Sequence, residues 1–428
     1  MIGAWQKPTG FGKGFAATWE RGLKEMKYDF TSIIDRCGKD AMAVDALGTM
    51  PGFAPEPPSE GFDVIPMWIA DMNFPTCPVI QEAIIRRVQH PTFGYFVIRD
   101  EYYEKIIQWQ TRRNGYSNLL REYIGYENGV HGCLTSAVEA LSAPGDKILL
   151  HSPVYVGFSM DTEGIGRVPV YSPLKRDDDG IWRMDYADMD AKLKADNIHL
   201  AIFCSPHNPC GRVWERWELE RAMEVFAAND CYVISDEIWA DITFPDKRHI
   251  PTPMVNEWAK EHTVAAYAPS KTFNLAGLTG SYHIICNKYL RDRVRSHGHA
   301  THYNEINVLS MHALMAAYGP EGYEWVDELR QVLENNAKYA YSYIKEHFAG
   351  VDAAMPEGTY MIFLDCSGYC QCTGRSLDDV IKAGWDVGVG WQDGRRFRGP
   401  CHIRMNLASP LSRVQEAFHR LDKYVFRA

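Results

Sequence analysis

The chain has 428 residues, 46% of them hydrophobic and 23% charged, with a net charge of -10 at neutral pH. That is enough apolar side chain for a large core and for two or three domains. The acidic balance argues against general nucleic-acid binding, because the average surface repels a phosphate backbone, and it favours a small-molecule ligand.

The opening stretch MIGAWQKPTGFGKGF lacks the apolar centre of a signal peptide, and no uninterrupted apolar run approaches the length of a membrane span. A cytoplasmic protein with no membrane partner is therefore expected. Residues 1 to 27 are rich in Gly, Lys and aromatics, and the sequence leaves open whether they drape over a dimer or lid a site. PGFAPEPPSEG, residues 51 to 61, holds four prolines and reads as an irregular connection. Next comes an alternation of short apolar runs and helical patterns. GCLTSAVEALS predicts a helix, DKILLH and HLAIFC predict strands, and ERWELERAMEVFAAN predicts a helix with Leu219, Ala222, Met223 and Phe226 on one face. CYVISD, TVAAYA and SYHIICN are further strands, so the pattern is that of a parallel α/β sheet covered by helices. From about residue 310, Val326, Leu329, Leu333 and Ala340 mark a long amphipathic helix, followed by a smaller α+β unit containing GTYMIFLDC and CHIRMNLASP. The expected division is an N-terminal segment 1–65 that joins the small domain, a large domain 66–309 and a small domain 310–428.

Eleven scattered cysteines without a CxxC pair fit reduced thiols better than a disulfide framework. Cys366, Cys370, Cys372, Cys401 and His402 form a local cluster, but its spacing matches no standard zinc pattern, and no metal is expected.

In an open parallel sheet the ligand crevice lies outside the carboxyl ends of the strands. Three polar residues fall at such ends, Asn208 in SPHNPCGR, Asp236 in CYVISDEI and Lys271 in YAPSKTFNLAGL, spaced 28 and 35 residues apart. Each has an ordinary alternative. Asn208 before a proline suits a simple turn. Asp236 at a buried strand end either pairs structurally with Arg or Lys or holds a cationic ligand. Lys271 alone would pass for a solvated lysine.

The order SPHNPxGR, SDEI, PSKTFNLAGL resembles the fold-type-I pyridoxal-phosphate enzymes, the aspartate-aminotransferase fold, whose large domain carries a mainly parallel seven-stranded sheet. FDVIPMWIADMNFPTCPVIQEAI, FGYF, SPVYVGF, PEGTYMIFLDC and IRMNLASP are similar to the cysteine-S-conjugate and cystathionine beta-lyase branch, the MalY/PatB type, so the resemblance runs from about residue 28 to the C-terminus. It implies pyridoxal 5'-phosphate as cofactor, a small amino acid as substrate, and a homodimer with shared active sites. Lys271 would form the Schiff base with the cofactor and act as the base at the substrate α-carbon. Asp236 would keep the ring nitrogen protonated. Asn208 would donate to the ring oxygen, and Tyr155 would stack on the ring, unless it is simply a core tyrosine. His131, Gly132 and Cys133 at a helix start, with Ser270, would hold the phosphate. Arg404 would grip the substrate carboxylate in a forked pair of hydrogen bonds, its alternative being a surface salt bridge. Ala70 and Trp239 would border the substrate, and Tyr95 would reach the neighbouring subunit's site.

The chain departs from the family pattern in places. Thr279 stands eight residues after the lysine, where many aminotransferases have a phosphate-binding arginine, and Ala268 stands where serine is common. Trp239 replaces a usual tyrosine or histidine, and its indole can donate a hydrogen bond but take no proton. Cys210 within HNPCGR is read as a small buried side chain. The implied reaction is β-elimination from L-cystathionine or a related cysteine S-conjugate. Amino transfer between an amino acid and a 2-oxo acid is the alternative, and a non-catalytic module that merely holds the cofactor is a third reading.

Overall fold

The computed structural model describes residues 26–301 and 304–427. Residues 1–25, most of the N-terminal segment singled out above, lie outside the described residues.

The large sheet has seven strands: β1 (Ile124–Asn128), β2 (Lys147–Ser152), β3 (Val168–Pro173), β4 (Leu200–Cys204), β5 (Tyr232–Asp236), β6 (Thr263–Tyr267) and β7 (Gly280–Ile284). Their spatial order is β1-β7-β6-β5-β4-β2-β3, and β7 alone runs antiparallel to its neighbours. β4, β5 and β6 are buried almost throughout, which is why their sequences are continuous apolar runs rather than alternations. The register aligns Cys204, Asp236 and Ala266, so three adjacent strands end together on one rim. The sequence pattern missed β1 and β3, whose polar and half-exposed positions dilute the apolar signal.

PGFAPEPPSEG is irregular, as its prolines require. Ile65–Pro66 beyond it pairs in parallel with Val389–Gly390, tying the N-terminal portion to the C-terminal unit. The long helix spans Pro320–His347, and Val326, Leu329, Leu333 and Ala340 all lie on its buried face. It leads to a four-stranded antiparallel sheet of β8 (Asp352–Ala353), β9 (Met361–Asp365), β10 (Gln392–Asp393) and β11 (His402–Asn406), in the order β8-β9-β11-β10. No helix among the described residues is long and apolar enough to cross a membrane.

Of the cysteine cluster, Cys366 is buried, Cys372 is exposed, and the Cys370 and Cys401 sulfurs lie 3.8 Å apart as free thiols. They do not converge on a metal-binding group among the described residues.

Candidate active site

The rim of β4, β5 and β6 opens onto a cavity of about 260 Å³ bordered by Asn208, Asp236, Ser270, Lys271, Tyr155 and His131, with Ala70, Trp239 and Thr279 completing part of its wall. A wider depression of about 760 Å³ lies beside β1 and β7 and contains none of these groups.

Lys271 sits on a single helical turn, Pro269–Thr272, that Pro269 starts just after β6. It is not solvated as an isolated lysine would be. Its Nζ donates to the Ala70 carbonyl at 2.8 Å, and the Tyr360 hydroxyl donates to the same oxygen at 3.0 Å. Burial pushes the Lys271 ammonium down to about 8; Arg404 adds to this, while Asp71 and Asp236 oppose it.

Asp236 is 4% exposed at the end of β5. Its side chain accepts from the Ile238 N–H at 3.0 Å and has no Arg or Lys bound to it among the described residues. Structural pairing, the ordinary alternative, is therefore absent among the described residues. Burial pushes the carboxyl up to about 6, against the pull of the Ile238 N–H, His131 and Lys271. Below it Glu237 accepts from Tyr267, His249, Ser235 and the Thr252 N–H, a satisfied network that fixes the strand ends.

Arg404 on β11 is 3% exposed. One Nη donates to Asn208 Oδ1 at 3.2 Å, and the other donates to the Trp68 carbonyl at 2.7 Å and to Gln392 Oε1 at 2.6 Å. The guanidinium lies over Phe397, and its buried Nε has no partner among the described residues. No carboxylate meets it among the described residues, so the surface salt bridge is excluded. A guanidinium only donates, so the Asn208 atom facing it must be the oxygen, which leaves the amide nitrogen of Asn208 as a donor beside the cavity.

The segment 68–72 is held over the cavity by its backbone. Asn406 donates to the Ile69 and Asp71 carbonyls at 2.7 and 2.5 Å. Asn274 accepts from the Met72 N–H at 3.0 Å and donates to its carbonyl at 2.9 Å. Asn274 adopts φ +57, a conformation asparagine tolerates better than most residues. These supports, with Tyr360 and Gln392, escaped the sequence reading. Tyr360 lies within the stretch PEGTY, where no local pattern distinguishes it.

The helix beside β1 runs Gly129–Leu141 with Asn128 as its N-cap. Its free N–H groups are therefore those up to His131. This corrects part of the expectation: the Gly132 N–H is the first taken into the helical ladder, and Cys133 lies deeper, with its side chain fully buried. His131 Nδ1 meets Asp161 at 2.5 Å and its Nε2 meets the Tyr155 hydroxyl at 3.1 Å. Burial works against a charge on His131, but Asp161 outweighs it and the imidazole titrates above its ordinary value. Tyr155 is half-buried, and burial pushes its phenol up to about 12. Trp239 is buried edge-on to Tyr360, with ring centres 4.6 Å apart. Thr279 takes φ +53, and its carbonyl accepts from Tyr126. Among the described residues no arginine borders the cavity, in line with the threonine at that position. Cys210 is buried. Tyr95 does not border the cavity; its side chain is fully exposed in the single chain.

A family model described as aminotransferase class I and II matches residues 63–421. The chain belongs to this family. It is 30% identical over 390 residues to the cystathionine beta-lyase PatB of Bacillus subtilis, covering 90% of this chain and 97% of that protein. It superposes on the PLP-bound C-S lyase from Staphylococcus hominis with a TM-score of 0.81 at 31% identity, covering 92% of this chain and 98% of the other. An aspartate aminotransferase from Thermus thermophilus superposes with a TM-score of 0.74 at 20% identity over 85% of this chain and 92% of the other, a likeness of fold. The seven-stranded sheet is thus that of the aspartate-aminotransferase fold.

The donor set fits pyridoxal phosphate. A buried carboxylate with a single backbone donor suits a ring cation, the helix start with its free N–H groups suits a phosphate, and a lysine of lowered proton affinity stands in the wall.

Proposed function

We propose that this protein is a pyridoxal-phosphate-dependent carbon–sulfur β-lyase, acting on L-cystathionine or a related cysteine S-conjugate. With water as co-substrate, the C–S bond is broken and a thiol, pyruvate and ammonia leave. Its length-spanning similarity to PatB and to the Staphylococcus C-S lyase supports the reaction class. The single observation that carries the substrate class is Arg404, a buried cation with, among the described residues, an unpartnered Nε and no counter-ion, which calls for the carboxylate of an amino acid.

When bound, pyridoxal phosphate supplies an electron sink for the α-carbon. Asp236 would keep a proton at its ring nitrogen, the Asn208 amide N–H would serve its ring oxygen, and Tyr155 would pack against the ring. The N–H groups up to His131, together with Ser270 and the His131 side chain, would hold the phosphate, since no arginine borders the cavity among the described residues. Lys271, titrating near 8, is available as an amine to carry the cofactor and to take the α-proton. Arg404 orients the carboxylate, while Ala70 and Trp239 border the substrate side chain.

The same reading carries a cytoplasmic homodimer with shared sites and the domain division at residues 66 and 310. Tyr95, at 111% relative exposure, lies in an apolar stretch with Phe93 and Val97 also uncovered, and a second copy of the chain would cover it. The division is supported by the pairing of Ile65–Pro66 with the C-terminal unit.

The deciding experiment incubates purified protein with L-cystathionine, and separately with alanine plus a 2-oxo acid. Release of pyruvate and thiol is the expected result. Amino transfer without either product would replace the lyase reading with that of an aminotransferase.

A further inference from the structure

A second cluster of reactive side chains lies away from the cavity just described, where β1 and β7 meet the inner face of the helix Gly129–Leu141. Glu127, Cys133 and His283 are 1%, 0% and 2% exposed, and their ligating atoms all lie within 4.8 Å of one another. His283 Nδ1 and Glu127 Oε1 are 2.6 Å apart. Among the described residues, Glu127 Oε2 and His283 Nε2 are buried without a hydrogen-bond partner. Two orphaned polar atoms in one group are costly unless a ligand satisfies them.

The local sequence makes room for this arrangement. In the antiparallel register His283 faces Gly125, and a Cβ at Gly125 would sit 2.3 Å from the imidazole ring. Glycine there leaves room for the ring, which reaches Glu127 two residues on. Cys133, whose N–H is committed to the helix, points its sulfur into the same group. The pair Glu127 and His283 also borders the 760 Å³ depression, which provides a path for an ion and for a water.

We infer that Glu127, Cys133 and His283 form a binding site for a borderline-soft divalent cation, with zinc as its natural probe. One sulfur, one imidazole nitrogen and one carboxylate oxygen make a three-ligand set that leaves a fourth position for water. Binding displaces the Cys133 thiol proton to solvent and involves no change of oxidation state. The ion ties the helix whose N-terminus faces the cavity to the edge of the sheet. The inference does not depend on which reaction the cavity performs.

The test equilibrates the holoenzyme with zinc under chelator competition, removes free metal by gel filtration, and measures metal per chain alongside the X-ray absorption fine structure of the retained zinc. About one zinc per chain is expected, with one sulfur near 2.3 Å and nitrogen or oxygen near 2.0–2.2 Å. Cys133→Ser and His283→Gln, each checked for retained cofactor absorbance, are expected to weaken zinc binding by at least about 10-fold. A sulfur-free first shell, or zinc retention unchanged in both variants, would sink the inference. So would failure of the unaltered protein to retain zinc, a result that does not require either variant to fold.

Discussion

Arg404 donates to Asn208 Oδ1 at 3.2 Å, joining the last strand of the small sheet to the loop after β4. This bond sets the direction of two functions at once. It commits the Asn208 amide oxygen, leaving the amide nitrogen as a donor beside the cavity, and it holds one Nη of a guanidinium whose Nε has no partner among the described residues.

Arg404→Lys is expected to be far from conservative. A lysine ammonium cannot span Asn208, Trp68 and Gln392 while presenting a fork to a carboxylate. The expected loss is roughly 2–5 kcal/mol of substrate interaction, read chiefly as a rise in KM in steady-state kinetics. Unchanged KM for an amino-acid substrate would remove Arg404 from the binding role.

Replacing Lys271 with Ala tests the cofactor anchor. The C–S lyase rate is expected to fall by about 10²–10⁴-fold. Borohydride reduction followed by peptide mass analysis should find the cofactor's added mass on the peptide bearing residue 271 in the parent and nowhere in the variant. A biological effect that survived this change would favour the binding-only module.

Asp236 gives a pH dependence of stability in the cofactor-free protein. Its folded-state value of about 6 lies above the ordinary carboxyl value near 4, so its contribution is fully present below pH 4 and is lost as pH rises through 6. The loss at neutral pH is roughly 3 kcal/mol. Asp236→Asn is therefore expected to raise the Tm of the cofactor-free protein at pH 8 more than at pH 4, while weakening cofactor binding. Thermal melts at the two pH values decide; a variant destabilised equally at both would contradict the assignment of an unpaired buried charge.

Asn274→Ala removes both clasps on Met72 and places alanine at φ +57. A destabilisation of about 1–3 kcal/mol is expected from the unsatisfied backbone groups and the left-handed backbone. Because the released segment carries Ala70, the oxygen that receives Lys271, KM should rise as well. Denaturant melts with parallel kinetics check both; a fall in stability without any kinetic change would show that the clasp is structural only.

The sequence alone determined the alternation of strands and helices, because buried parallel strands must be apolar throughout and their helices must keep a 3.6-residue stripe. It also put Asn208, Asp236 and Lys271 at strand ends, since a polar residue that closes such a run is visible without coordinates. Tertiary structure decided what those residues face. Only the folded chain brings Arg404, nearly 170 residues beyond Asp236, against Asn208 with no counter-ion among the described residues, and only the exact start of a helix tells that Gly132 and Cys133 have spent their N–H groups. Contacts between backbone carbonyls and distant side chains, such as those holding residues 68–72, leave no trace in periodicity, because a carbonyl is common to every residue and its partner can come from anywhere in the chain.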